Sequence, residues 1–229
     1  MNDLYSQHDR HYVAVDIIIF GFDRNQLKIL LIRRNFEPEK GKWSLMGGFL
    51  KKDENLDNAA HRVLHELTGL KGIYLEHLAA YGDRERDTAG RVVSIAYYAL
   101  INAENFDDSY ESSYQARWFG LDELPLLIFD HNLMVDKALK RLRRRCRTQP
   151  VGFELLPEKF TLPQLLKLYE AIYRQELDKR NFRKKILSFG VLKKLEEKDN
   201  RGSRKGAFLY RFDKKKYDEL MELGTHFTI

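Results

Sequence analysis

The sequence predicts an α/β protein of two domains, residues 1–150 and 151–229. Three observations carry that reading. A strand–loop–helix unit of regular spacing runs from Gly41 to Leu70, GKWSLMGGFLKKDENLDNAAHRVLHELTGL. Around it, β-branched apolar stretches alternate with polar turns, the pattern of a mixed sheet. Past Thr148 the rhythm changes to short helices and a hairpin, and the charge balance changes with it. Residues 1–147 hold 22 Lys+Arg and 22 Asp+Glu, whereas residues 148–229 hold 18 and 12, so the whole net charge of +6 lies in the second part. Basic domains commonly meet phosphate.

In chain order, YVAVDIIIF (12–20) reads as a central strand, residues 22–25 as a turn, and QLKILLIR (26–33) as the return strand of a hairpin. NFEPEKGK is a loop. The organising unit then reads as a buried strand entering a Gly-Gly turn, followed by a helix. Asp53 is placed to cap that helix. Leu56, Ala59, Ala60, Val63, Leu64 and Leu67 form one apolar stripe at helical spacing, and Gly69 stops it. Residues 73–81 and 91–100 are further strands joined by a charged hairpin loop, GDRERDTAG, and QARWF is a short strand. From Asp130, a good N-cap, a helix runs to about Arg147 and ends in Arg141, Arg143, Arg144, Arg145 and Arg147. That charge complements the helix dipole and would also attract phosphate. TQPVGFELLP (148–157) breaks helical periodicity and marks the expected boundary.

Composition excludes several classes. No apolar run reaches the length of a membrane span, and the N-terminus has no signal-like apolar core. These features predict a cytoplasmic protein. The single cysteine, Cys146, gives neither a disulfide framework nor a metal cluster. Its arginine neighbours would lower a thiol pKa if it were exposed to them; an incidental helix-end cysteine is the plainer reading.

In the 41–70 unit, Gly48 is followed six positions later by Glu54 and eight positions after that by Arg62. Leu64, Glu66, Gly69 and Leu70 complete a pattern that resembles the Nudix box. The resemblance implies an α/β/α sandwich over about residues 10–147. It also implies that Glu54 and Arg62 form a structural ion pair. The chain departs from the box at Val63 and Leu67, where clustered glutamates would hold Mg²⁺. Magnesium needs oxygen ligands, and these two side chains supply none. Glu66 alone makes a poor site. The expectation is a Nudix scaffold with no catalytic residue, no metal and no cofactor.

The second part reads as helix, short turn, basic helix and β-hairpin. Thr161 caps the first helix with Pro163 in its first turn, and Asp178 caps the second, KRNFRKKILSFG, closed by Gly190. VLKKLEEK and AFLYRFD are strands around the loop DNRGSRKG, and a last helix runs from about Lys214 to Leu223. This is the order of a winged helix-turn-helix, whose second helix enters the major groove of double-stranded DNA. Lys179, Arg180, Asn181, Arg183, Lys184 and Lys185 are its candidate contacts, with Arg201, Ser203, Arg204 and Lys205 at the wing tip. Asn181 and Arg183 are the candidates for base edges. A solvated basic face is the plain alternative, but three features coincide: helix-turn-helix order, a basic hairpin tip and the charge asymmetry.

A degenerate Nudix domain joined to a winged helix, with LYEAIYRQELDKRNFRKKIL at the join of its two helices, resembles the Nudix-related transcriptional regulators along essentially the whole chain. That resemblance implies a homodimeric repressor whose Nudix domain senses a metabolite. The overall likeness leans to the L-arabinose-responsive branch, with an ADP-ribose-responsive regulator of NAD metabolism as the alternative. Effector candidates are Arg33, Lys42, Trp43, Phe49, Glu54, Arg84, Asp130 and His131. Trp43 with Lys42, Glu54 and Asp130 would suit a sugar; Arg33, Arg84 and Arg86 would suit a diphosphate. Trp43 as core and Asp130 as helix cap are the plain readings. A residual pyrophosphohydrolase resting on Glu66, and an RNA-binding protein without a stacking platform, complete the alternatives.

Overall fold

The computed structural model describes residues 4–106, 115–149, 151–200 and 206–223. Strand β1 (Tyr12–Asp23) is buried on both faces and organises a seven-stranded mixed sheet. Strand β2 (Gln26–Arg33) returns antiparallel through Arg24 and Asn25, both at positive φ, the geometry of a two-residue hairpin turn. Strands β3 (Trp43–Ser44) and β4 (Met46–Phe49) pair with β2 and β1 respectively. Beyond them lie β5 (Tyr74–Tyr81), β6 (Val92–Asn102) and β7 (Arg117–Gly120). β6 runs parallel to β1, the one parallel pair of this sheet among the described residues. Most of the stretch 106–114, FDDSYESSY, lies outside the described residues.

Strand alternation splits the core into two layers. Val15, Ile17 and Ile19 pack with Ala59, Ala60, Val63 and Leu64 of helix α1 (Leu56–Thr68). Ile18, Phe20 and Phe22 pack with Met134, Val135, Ala138 and Leu142 of helix α2 (His131–Thr148) on the opposite face. The result is the expected α/β/α sandwich.

Three local expectations are corrected. Asn55, not Asp53, caps α1, accepting from Asn58 N at 2.8 Å. Gly47 and Gly48 lie within β4 and not in a turn, because that strand runs close beside β1. Asp130 occupies the N-cap position of α2 but makes no side-chain cap bond. Gly69 ends α1 as expected, at φ +71.

The second part holds β8 (Phe160–Thr161), α3 (Leu162–Tyr173), α4 (Lys179–Ser188), β9 (Leu192–Asp199), β10 (Ala207–Phe212) and α5 (Lys214–Glu222). Its three strands form an antiparallel sheet in the order β8-β10-β9, and with α3 and α4 they make a winged helix. Segment 148–157 is not an exposed linker. Val151, Phe153, Leu155 and Leu156 are buried, Phe153 stacks on Phe212 at 4.2 Å, and Tyr169 Oη donates to Val151 O at 3.1 Å. One hydrophobic cluster therefore runs from under the sheet into the winged helix.

Of the arginines near the end of α2, two are engaged in this junction and a third by β5 of the sheet. Arg143 Nε donates to Ile172 O at 2.7 Å, Arg145 pairs with Glu76 and Tyr74, and Arg147 lies over the Tyr173 ring. Cys146 is wholly buried among them, and burial pushes its thiol up to about 12, so its basic neighbours do not activate it. Among the described residues, no helix is long and apolar enough to cross a membrane.

Candidate functional site

A cleft of about 490 Å³ opens over the sheet between β1, β4, the loop after β2, the β5–β6 loop and the start of α2. Its floor is polar. Asp16 is a carboxylate inside an otherwise apolar strand, and it is accommodated by three neighbours. Ser94 Oγ donates to it at 2.5 Å, Arg86 Nη2 lies 3.6 Å away, and His131 Nε2 lies 3.7 Å away. Arg86 is buried and binds Asp130 through two nitrogens, Nε at 3.0 Å and Nη2 at 2.7 Å. That bidentate pair is the strongest form of an ion pair and takes the Asp130 carboxylate away from the helix end.

His131 is 2% exposed. Burial lowers its pKa, and Asp16 only partly opposes that. The ring is therefore neutral near pH 7. Its Nδ1 accepts from Leu45 N at 3.2 Å, so the ring proton sits on Nε2, facing Asp16.

The walls are aromatic and basic. Phe129 holds φ +51, an outlier for a bulky residue, and its ring lies 5.5 Å from the Arg34 guanidinium and 5.9 Å from that of Arg86. Arg34 also stacks on Phe36 at 3.9 Å. Burial lowers the Arg34 pKa, against the pull of Asp87 and Asp16, and among the described residues no carboxylate forms an ion pair with it. Exposed Phe49 forms another part of the lining.

Of the eight expected effector residues, Arg33, Phe49 and His131 line the cleft, and Asp130 reaches it through Arg86. The other four are placed elsewhere. Lys42 pairs with Glu39 on the surface, Trp43 packs edge-on against Phe119, and Arg84 is exposed on its loop. Glu54 is held by Arg62 (2.8 and 2.6 Å) and Lys51 N (2.7 Å), the expected structural pair. Sequence reasoning passed over Asp16, Arg34, Phe36 and Phe129. A lone carboxylate in the run YVAVDIIIF was the available signal for the first.

The box positions do not fit a magnesium ion. Val63 is buried beneath Gly48, Leu67 turns its apolar side chain to the cleft, and Glu66 is paired with Arg62 at 3.1 Å. No cluster of three or more metal-ligating His, Cys, Asp or Glu side chains occurs among the described residues.

The second candidate surface is α4. Asp178 caps it, accepting from Asn181 N at 2.7 Å, and Glu170 Oε1 braces the preceding turn by accepting from Leu177 N at 3.2 Å. Phe182 and Ile186 face inward, leaving Lys179, Arg180, Asn181, Arg183, Lys184 and Lys185 exposed on one basic surface. Lys194 and Lys198 lie over Phe208 in the wing. The expected wing-tip contacts Arg201, Ser203, Arg204 and Lys205 lie outside the described residues.

Two family models match the chain: the NUDIX domain over residues 10–142, and the NrtR DNA-binding winged helix domain over residues 152–212. The ADPR responsive transcriptional repressor NtrR of Acinetobacter baylyi is 38% identical over 93% of this chain and 86% of its own. Shewanella oneidensis NrtR, solved with a 27mer DNA, superposes with a TM-score of 0.82 at 29% identity, over 90% of this chain and 95% of its own. The NUDIX domain of that protein, solved with ADP ribose, gives a TM-score of 0.52 at 30% identity, over 62% of this chain and 94% of its own. None of these relatives is named for arabinose, so the L-arabinose branch expected from overall likeness is left without support.

Proposed function

This chain belongs to the NrtR family of Nudix-type transcriptional repressors, and on that premise we propose that its cleft binds ADP-ribose, which releases the protein from operator DNA. The observation that carries the effector is the placing of both Arg34 and Arg86 against the Phe129 ring in the cleft wall. Arg34 is half-buried there, its Nε on the Phe36 carbonyl and no carboxylate in ion-pair contact among the described residues, so its charge is open to an anionic ligand. A neutral pentose brings no charge to offset it. A diphosphate does, and Phe36, Phe49 and Phe129 supply flat faces for a base or ribose. Its relatives' names support the same ligand.

The Nudix domain acts as a sensor and does not hydrolyse its ligand. Val63 and Leu67 offer no oxygen where the metal-binding carboxylates of the box would be, and both remaining glutamates, Glu54 and Glu66, are drawn to Arg62. The winged helix lays α4 in the major groove, where its Lys and Arg neutralise phosphates while Asn181 and Arg183 reach base edges. The functional form is a cytoplasmic homodimer, with two α4 helices meeting two half-sites of an operator. ADP-ribose favours a conformation in which their spacing no longer matches; a ligand that bound both states equally would shift nothing.

The deciding experiment is a mobility shift on the protein's own upstream DNA, titrated separately with ADP-ribose and L-arabinose. Release by ADP-ribose alone supports the reading. Binding indifferent to ADP-ribose, or turnover of ADP-ribose with Mg²⁺, overturns it.

A further inference from the structure

The acid that holds Arg86 is out of its usual place. Asp130 stands at the N-cap of α2, where an aspartate ordinarily accepts a first-turn N–H. Here both of its oxygens accept from Arg86 instead, across a sequence separation that joins the β5–β6 loop to α2. The contact occupies the bidentate edge of the guanidinium, the edge that best matches a carboxylate or a phosphate. Arg86 lines the cleft, and Asp16 and Asp87 line it too. An entering diphosphate therefore meets a cation already saturated by an internal anion.

We propose that Arg86 is the residue that takes the ligand's diphosphate, and that Asp130 is the internal anion the diphosphate displaces. The proposal rests on the ADP-ribose reading. Two anions compete for one guanidinium edge, and their mutual repulsion in a partly dry cleft drives the exchange. The released Asp130 carboxylate has a second partner at hand in the first turn of its own helix, which no side chain caps: His131 N and Leu133 N already bond to Ile128 O and Asp130 O, and the Asn132 N–H stands between them. Asp130 is thus a positioning residue with two stations, on Arg86 without ligand and on the α2 N-terminus with it.

The exchange has a route to the DNA-binding part. α2 is one unbroken helix of 18 residues, about 27 Å long. Its start carries Asp130 and His131 in the cleft, and its end carries Arg143 on the Ile172 carbonyl and Arg147 over Tyr173, both on α3. A change of capping at the first end moves or stiffens the element whose other end seats the helix-turn-helix.

Asp130→Asn and Asp130→Ser test this, the serine retaining a capping oxygen without a carboxylate. ADP-ribose affinity is read by calorimetry, and operator affinity by fluorescence anisotropy with and without ADP-ribose. Thermal melting identifies which variant folds. The expected result is ADP-ribose binding about threefold to tenfold tighter than wild type, since the bidentate pair no longer has to be broken and only the longer Arg86–Asp16 contact remains. Operator affinity without ligand should fall toward the liganded wild-type value, so that the response ratio approaches one. Unchanged or weaker ADP-ribose binding with an intact operator response overturns the exchange, because the diphosphate would then use another edge or another residue. Failure of the wild-type protein to bind ADP-ribose is a different result and sinks the effector reading itself.

Discussion

A Cβ added to Gly47 would overlap Asp16 Oδ1 and press on the Val15 carbonyl across the β1–β4 pairing. The glycine is what lets β4 lie flat over a strand carrying a buried carboxylate, and Asp16 in turn faces Ser94, Arg86 and His131. Gly47→Ala must push either β4 or Asp16 aside. Overpacking of this kind costs about 1–3 kcal/mol. The expected outcome is a lower melting temperature and ADP-ribose binding weakened by about tenfold or more, measured by calorimetry. A variant as stable and as tightly binding as wild type would show that the contact gives way freely.

The sequence made some of this site legible and hid the rest, for reasons that differ residue by residue. The Glu54–Arg62 pair followed from the resemblance to the Nudix box, whose motif lies within one local strand–loop–helix unit. The recognition helix was equally local: Asp178, Phe182 and Ile186 set its cap and its buried face. Gly47 and Gly48 read as a turn because adjacent glycines usually mark one; only the partner strand shows that close approach is their purpose. Asp130 read as a cap because capping chemistry is local, but a guanidinium 44 positions away in sequence claims it. The cleft walls Arg34, Phe36 and Phe129 come from segments that only tertiary folding brings together. The arginines ending α2 read as a phosphate-attracting helix end. Arg143 and Arg147 find their partners at Ile172 and Tyr173, later in the chain, and Arg145 finds Glu76 and Tyr74 on β5, contacts that only tertiary folding makes.

Glu54 predicts a pH signature. Its hydrogen bonds from Arg62, aided by the Lys51 amide, hold its carboxyl down at about 2, against an ordinary value of 4.5. A depressed folded-state pKa contributes stability that is complete above the unfolded value and is lost as pH falls through the folded one. The melting-temperature difference between wild type and Glu54→Gln should therefore be constant from neutral pH down to about 5, then shrink toward pH 2. A difference that held its size throughout acid titration would mean that Glu54 acts by packing and not by charge.

Arg143 predicts a cost at the junction. Its Nε donates to the Ile172 carbonyl at 2.7 Å near the C-terminal end of α3, and burial already lowers its pKa. Arg143→Leu keeps much of the side-chain bulk but leaves a helix-end carbonyl without its donor. That costs about 1–3 kcal/mol. Chemical denaturation should show the midpoint falling by that equivalent. Operator binding should weaken as well, since Ile172 and Tyr173 end the helix that supports α4. Lost stability with unchanged operator affinity would separate the junction from recognition.

The exposed face of α4 predicts two distinguishable defects. Lys184 and Lys185 are charges on a flexible stem, suited to phosphate, whereas Asn181 and Arg183 carry the planar groups that read base edges in pairs. Lys184→Ala should weaken binding about equally for operator and unrelated duplex, and reduce the slope of log affinity against log salt by about one. Asn181→Ala should cost about 1–3 kcal/mol on the operator alone, leaving binding to unrelated duplex and its salt slope nearly unchanged. Anisotropy titrations of both variants on both duplexes, across a salt series, separate the two. If Asn181→Ala weakened both duplexes alike, its amide would be a backbone contact, and base reading would fall to Arg183 or to the wing.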